Sequence, residues 1–265
     1  FLLFAFVGSM YLTEIRPLQE ISSNMAQVLK AVTKTEEILE LPIYEGGGDF
    51  PQAHDIELRN VRFSYDGKVN VLEHCNLKVK NGERMALVGR SGAGKSTVFK
   101  LLLGLYRPEA GTITIGGVDV SAISDQERRT CISCVEQHFF RVPGTVLDQI
   151  TLGDPQITEA MAKNAAHLAG IDAAIQALPE GYATVCTEGM FSQGEWQLLS
   201  IARAAAADPA VLLLDEITAN LDAETEERVL EALRRASEGR TVLSVSHRVY
   251  ENLGGRTVEI KPQGQ

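Results

Sequence analysis

Residues 89–97 read Gly89-Arg90-Ser91-Gly92-Ala93-Gly94-Lys95-Ser96-Thr97, a G-x-x-x-x-G-K-[ST] pattern, and no other stretch restricts the fold of this chain as tightly. It is preceded by the apolar run Met85-Ala86-Leu87-Val88 and followed by a helical repeat of apolar residues over 95–105. A short continuous apolar run reads as a strand buried on both faces of a parallel sheet, so the order is strand, glycine-rich turn, helix. In such a turn, successive backbone N–H groups and the helix N-terminus converge on one point, where a polyphosphate supplies the missing acceptors. Only small residues let the backbone come that close. Lys95 then reaches the β- and γ-phosphates as a point charge, and the Ser96 hydroxyl offers an oxygen to Mg²⁺. From this motif alone a kinase, a GTP-binding protein and an ATPase all remain open.

A second pattern favours hydrolysis. Val211-Leu212-Leu213-Leu214-Asp215-Glu216 is an apolar strand that ends in two adjacent carboxylates. Asp215 is placed to hold Mg²⁺ through water, and Glu216 to polarise a water in line with the γ-phosphate. Further on, the apolar segment 241–246 delivers His247 to the same edge of the sheet, where ligands of open α/β sheets gather. A lone His is usually structural, but at the end of this strand it reads as a site residue.

The 265 residues suit one or two domains at about 150 residues each. With 35 Asp and Glu against 25 Lys and Arg, the net charge of −10 has the wrong sign for a surface that neutralises nucleic-acid phosphates, so no nucleic-acid partner is expected. Four dispersed cysteines (Cys75, Cys131, Cys134 and Cys186) make no disulfide framework and suit a reducing compartment. Cys131 and Cys134 have zinc-knuckle spacing but lack a second pair.

The chain's start departs from this soluble composition. Ten of the first twelve residues are apolar, all but Gly8 and Ser9, and no charge occurs before Glu14. Twelve helical residues rise about 18 Å, short of the roughly 30 Å hydrocarbon core, so the segment reads as the end of a cut transmembrane helix. Over 15–41, Leu18, Ile21, Met25, Val28, Val32, Ile38 and Leu39 recur mostly at three- and four-residue spacing, the pattern of one long amphipathic helix. Pro42, the Gly46-Gly47-Gly48 triplet and Pro51 end it in a linker over 42–54, with a new domain from about residue 55. Within that domain the patterning predicts strands at 56–65, 77–79, 211–214 and 241–245, and helices at 95–105, 158–178, 192–206 and 223–237. The last of these helices reads as a solvated acidic face, and the tail beyond His247 carries no recognisable signal.

Taken together, these residues resemble the nucleotide-binding domain of ATP-binding cassette (ABC) proteins, over roughly residues 55–256. Tyr65 sits where the family has the aromatic residue that stacks on adenine, and Gln137 matches the glutamine that lies near Mg²⁺. The segment Phe191-Ser192-Gln193-Gly194-Glu195 is similar to the family signature, and Ala219-Asn220-Leu221-Asp222 to its D-loop. The resemblance implies a P-loop NTPase α/β fold with a β-rich subdomain and a helical insertion at about 139–205, preceded by the long N-terminal helix. It also implies ATP and Mg²⁺ as cofactors. A second nucleotide-binding domain, identical or different, would place its P-loop opposite this chain's Ser192 and Gly194, with Asp222 nearby. Phe191, Gln193 and Glu195 depart from the usual Leu-Ser-Gly-Gly-Gln, and the Glu195 carboxylate either weakens that anion site or points away from it.

The first 41 residues are similar to the last transmembrane helix of an exporter-type (type I) subunit leading into its ATPase. Thr187-Glu188-Gly189 resembles the exporter X-loop, and residues 139–152 resemble the way exporter domains continue after the family glutamine. The implied partners are therefore the transmembrane domain of the same subunit and the cell membrane, with the ATPase on the cytoplasmic side. The alternative is a soluble ABC ATPase that acts in DNA maintenance or translation.

Overall fold

The computed structural model describes Met25 and residues 28–35, 53–136, 139–215, 217, 221–245 and 247–260, with the backbone alone for His247, Arg248 and Tyr250. The chain divides into two compact units, Phe1–Tyr44 and Glu45–Gln265. In the first, residues 28–35 are helical, and the Thr33 and Thr35 hydroxyls donate to the carbonyls of Leu29 (3.0 Å) and Ala31 (2.9 Å) one turn back. The expected membrane-helix end, most of the 15–41 helix and most of the 42–54 linker lie outside the described residues. Among the described residues no helix is long and apolar enough to cross a membrane.

The second unit contains two sheets. β1 (Ile56–Ser64) pairs antiparallel with β2 (Asn70–Val79) and with β4 (Ala110–Ile115), and β5 (Val118–Asp119) completes the order β2-β1-β4-β5. The other sheet is parallel: β6 (Ile132–Val135), β7 (Val211–Leu214), β8 (Thr241–Ser244), β3 (Arg84–Val88) and β9 (Arg256–Glu259), in that spatial order. Leu212 and Leu214 of β7 enter one apolar core while Val211 and Leu213 enter the other. Two buried faces explain why β7 carries no polar alternation; each Leu so buried is worth about 1.5–3 kcal/mol.

Helix α1 (Lys95–Leu102) follows β3, and α2 (Asp125–Cys131) leads into β6. Between β6 and β7 lie α3 (Val146–Thr151), α4 (Glu159–Ala169), α5 (Asp172–Gln176) and α6 (Gln193–Ala206). After β7 comes α7 (Ala223–Ala236), and α8 (His247–Leu253) joins β8 to β9. α4 packs on α6, both with alanine-rich buried faces (Ala162, Ala165 and Ala166; Ala202, Ala205 and Ala206), which lets the helices approach closely.

Several expected elements differ. The single helix expected over 158–178 is two, because Gly170 adopts a left-handed conformation (φ 75°) and the Ile171 N–H closes back on the Ala166 carbonyl at 3.0 Å, a helix-ending motif. α1 ends at Leu102, three residues early, ahead of Gly104. β2 is ten residues long where only 77–79 read as strand: Asn60 and His74, both at positive φ, shift the β1–β2 register and break the alternation. The tail, which gave no signal, supplies edge strand β9, and the Ile260 N–H reaches the Val88 carbonyl at 2.8 Å.

Candidate nucleotide-binding site

The sheet first explains why residues so distant in sequence converge. β3, β8 and β7 are parallel neighbours with Ala86 opposite Ser244 and Ser244 opposite Leu214. The P-loop, Asp215 and the start of α8 at His247 therefore all leave the same edge. β6 ends beside β7, where the Asp215 N–H donates to the Val135 carbonyl at 3.0 Å. Gln137 follows that strand end by two residues and Glu216 follows Asp215 directly; both lie outside the described residues, as do Ala219 and Asn220 and the side chain of His247.

At this edge a cavity of about 460 Å³ is lined by Tyr65, Val71, Ser91, Gly92, Gly94, Lys95, Ser96, Thr97, Lys100 and Asp215. The Lys95 ammonium turns back into the loop and donates to the carbonyls of Gly89 and Arg90, each at 2.9 Å. Gly94 caps α1 at φ 93°, and a Cβ there would lie 2.8 Å from the Leu72 side chain, so only glycine lets the loop enter the helix against β2. The Ser96 hydroxyl lies 3.5 Å from Asp215 Oδ1. Two hard oxygen donors converging beside a phosphate-binding loop fit Mg²⁺, which takes one or two protein ligands and completes its shell with phosphate and water.

Part of the cavity's lining is aromatic. Tyr65 is 47% exposed, so its side chain is accessible to a flat base, and its hydroxyl lies 3.1 Å from Thr97 Oγ1. Phe63 and Tyr106 contact the ring edge-on at 4.9 and 5.2 Å, and the Lys100 ammonium lies 5.3 Å from its centre. Sequence reasoning found Tyr65 but missed Tyr106 and Lys100, for which the local sequence carries no signal.

The segment 191–195 lies outside the lining of this cavity and is built otherwise. Phe191 is buried edge-on against Trp196, and Ser192 caps α6, accepting from the Glu195 N–H at 3.3 Å. The Glu195 carboxylate turns back to accept from both the Ser192 N–H and its hydroxyl, each at 2.8 Å. Of the two orientations left open by the sequence, the carboxylate takes the one that engages Ser192, as in any capping box. Gly194 is required by packing: a Cβ there would run into the Thr225 methyl. Thr225 in turn donates its N–H to the Asp222 carboxylate (3.0 Å), which caps α7 and is held below the usual carboxylate range by bonds from the Thr225 backbone and side chain. Gly194 and Asp222 thus meet through one threonine.

None of the four cysteines lines this cavity. Burial pushes the thiols of Cys131 and Cys134 up to about 12, with Glu136 and Asp215 adding to the effect at Cys134, so both stay protonated at neutral pH.

A phosphate-binding loop between β3 and α1, with a strand-end aspartate facing its serine across a parallel sheet, defines a P-loop NTPase fold. The chain belongs to the ABC transporter family, whose sequence pattern matches residues 72–219. It is 37% identical over 244 residues to YfiC of Bacillus subtilis (strain 168), an uncharacterized ABC transporter ATP-binding protein, covering 88% of this chain and 40% of that one. It is 38% identical over 232 residues to the alpha-hemolysin translocation ATP-binding protein HlyB of Escherichia coli O157:H7, covering 85% of this chain and 33% of HlyB. Among solved structures, a bacterial Atm1-family ABC exporter with ATP bound superposes with a TM-score of 0.74 at 30% identity, over 90% of this chain and 44% of that one. The chain thus spans less than half the length of these relatives. It is an ABC ATP-binding domain of the kind found in exporters.

Proposed function

We propose that the chain hydrolyses ATP and, as part of an exporter-type subunit, drives substrate across the cell membrane with its ATPase domain on the cytoplasmic side. The observation that carries the reading is the cavity whose lining brings together Lys95 for phosphate, the Ser96–Asp215 pair for the metal and the half-exposed Tyr65 for the base. Tyr65 stacks the adenine, backed by Phe63 and Tyr106. The P-loop, residues 89–97, binds the phosphates through its N–H groups, and the Lys95 ammonium exchanges its two carbonyl partners for phosphate oxygens. When bound, Mg²⁺ supplies positive charge at the β- and γ-phosphates and would be held by Ser96 and Asp215, with Gln137 close by. Glu216 orients and polarises the attacking water, and His247 donates a hydrogen bond at the γ-phosphate.

Ser192 and Gly194, with Asp222 behind them, serve a nucleotide held by a second domain, in a homodimer or a heterodimer. On closure the Glu195 carboxylate must give up the two Ser192 donors that it holds, because phosphate and carboxylate repel at one helix terminus. This makes the site capped by Ser192 the slower of two where the partner carries an unaltered signature. Motion passes to the transmembrane domain of the same subunit through the Gln137 region and Glu188. The alternative role in DNA maintenance or translation finds no support in the names of the relatives, which are transport proteins.

A site completed in trans makes the rate per chain depend on protein concentration. We expect hydrolysis per chain to fall steadily on dilution and to recover on concentration, with an ATP-dependent dimer by light scattering over the same range. A constant rate per chain down to nanomolar protein, with no dimer under ATP, would contradict the composite site.

A further inference from the structure

Arg203, near the end of α6, belongs to no step described above, yet its side chain is heavily engaged. Nε donates to the Gln149 carbonyl at 2.6 Å and Nη1 to the Phe140 carbonyl at 2.9 Å, while the guanidinium lies 4.0 Å from the centre of the Phe139 ring. At the other end of the same helix, Trp196 stacks on Phe139 at 5.0 Å, meets Phe191 edge-on at 5.2 Å and carries the Arg141 guanidinium over its ring at 5.5 Å. Gln149, fully buried on α3, closes the arrangement: its amide donates to the Val142 carbonyl at 2.6 Å and accepts from the Val142 N–H at 3.0 Å. Each of residues 139–142 is therefore gripped by a side chain of α6 or α3.

This grip lies at a boundary. Val135, the last residue of β6, is bonded to the Asp215 N–H and belongs to the sheet. Four residues later the chain is fastened to the helix that begins at Ser192. Arg203 is costly for a packing residue: burial lowers its pKa to about 10 despite the pull of Glu136, and its Nη2 is buried without a hydrogen-bond partner among the described residues. A Met or Leu would fill the same space without a desolvated charge. What only arginine supplies is a planar fork that bonds two separate carbonyls while stacking on a ring.

We propose that Trp196 and Arg203 are positioning residues that fasten the chain following Gln137 to the helix presenting Ser192, so that the two are placed together. The inference rests on the proposed function, in which Gln137 serves the chain's own nucleotide and Ser192 the partner's. Neither residue lines the P-loop cavity, so loosening this clasp lowers turnover and leaves ATP binding at the P-loop intact.

The test uses the purified chain with Arg203→Met, Arg203→Lys, Trp196→Ala and Trp196→Phe. Its readouts are the thermal midpoint, the affinity for a fluorescent ATP analogue, and kcat and KM for ATP per folded molecule. For Arg203→Met and Trp196→Ala we expect kcat to fall by between about tenfold and a hundredfold, the scale on which slight misplacement of reacting groups acts. ATP affinity should stay within about twofold of the wild type, the pattern of a group that matters only after binding. Trp196→Phe keeps the face that stacks on Phe139 and should recover most of the lost kcat. Arg203→Lys keeps the cation but cannot bond both carbonyls as a fork, and it carries the test if the Met variant does not fold: the same loss of kcat is expected. Wild-type kcat per folded molecule in Arg203→Lys or Arg203→Met overturns the clasp, as does a loss fully accounted for by the unfolded fraction. A wild-type chain that hydrolyses no ATP at any concentration overturns the proposed function and the clasp with it, so the two failures are distinct.

Discussion

Replacing Lys95 by Ala should remove ATP binding while leaving the fold intact. The Lys95 ammonium is held by the carbonyls of Gly89 and Arg90, which solvent can replace. In the proposed nucleotide complex the same ammonium would face the charged β- and γ-phosphates. Charge-assisted hydrogen bonds are worth about 1.5–3 kcal/mol each, so losing two costs at least about 3 kcal/mol, or a hundredfold in affinity. Titration with a fluorescent ATP analogue checks this, and an unchanged thermal midpoint without nucleotide separates lost binding from lost structure. An affinity within a few-fold of the wild type would mean that the loop does not cradle phosphate.

Glu216→Gln should give the opposite combination. The substitution is isosteric, follows Asp215 at the end of β7 and leaves the phosphate loop, the Ser96–Asp215 pair and Tyr65 unaltered. ATP binding should persist, and because hydrolysis reopens the dimer in the proposed cycle, the ATP-bound dimer should accumulate. Loss of a general base costs about 10²–10⁴-fold in rate, so turnover should drop by that order. Size-exclusion chromatography with ATP and Mg²⁺ should show a stable dimer for the variant and a monomer for the wild type after turnover. Hydrolysis by Glu216→Gln at the wild-type rate would assign the water-polarising role elsewhere.

The parts of this site that were legible in the sequence are those whose chemistry dictates a local pattern. A phosphate loop needs glycines at fixed spacing between strand and helix, and a strand buried on both faces needs an unbroken apolar run, so 89–97, 211–214 and 241–244 could be read directly. Tyr106 and Lys100 could not, because they lie more than thirty positions from Tyr65 and meet it only through tertiary packing. Arg203 was visible within the signature helix, but its partners at Phe139, Phe140 and Gln149 lie more than fifty positions upstream and meet it only through tertiary packing. The orientation of Glu195 was legible and went unread: Ser192-x-x-Glu195 is a capping-box pattern, as are Ser124-x-x-Glu127 and Thr145-x-x-Asp148, which begin two helices that the periodicity alone did not announce. Helices of six or seven residues, such as α2 and α3, are too short to show a 3.6-residue repeat, so their caps are their main local signal.

The central claim is that each nucleotide is hydrolysed between the P-loop of one chain and Ser192 of another, and mixing two inactive variants tests it most directly. Glu216→Gln keeps a working Ser192 but cannot hydrolyse its own nucleotide. Ser192→Asp keeps a helix cap and a working P-loop but presents a carboxylate to the partner's γ-phosphate. Each alone should be silent. Mixed in equal amounts under ATP and Mg²⁺, about half of the two-fold dimers should pair the variants, and each should hold one complete site, restoring up to about a quarter of the wild-type rate. A mixture as silent as its components, although mixed dimers form, would contradict the account.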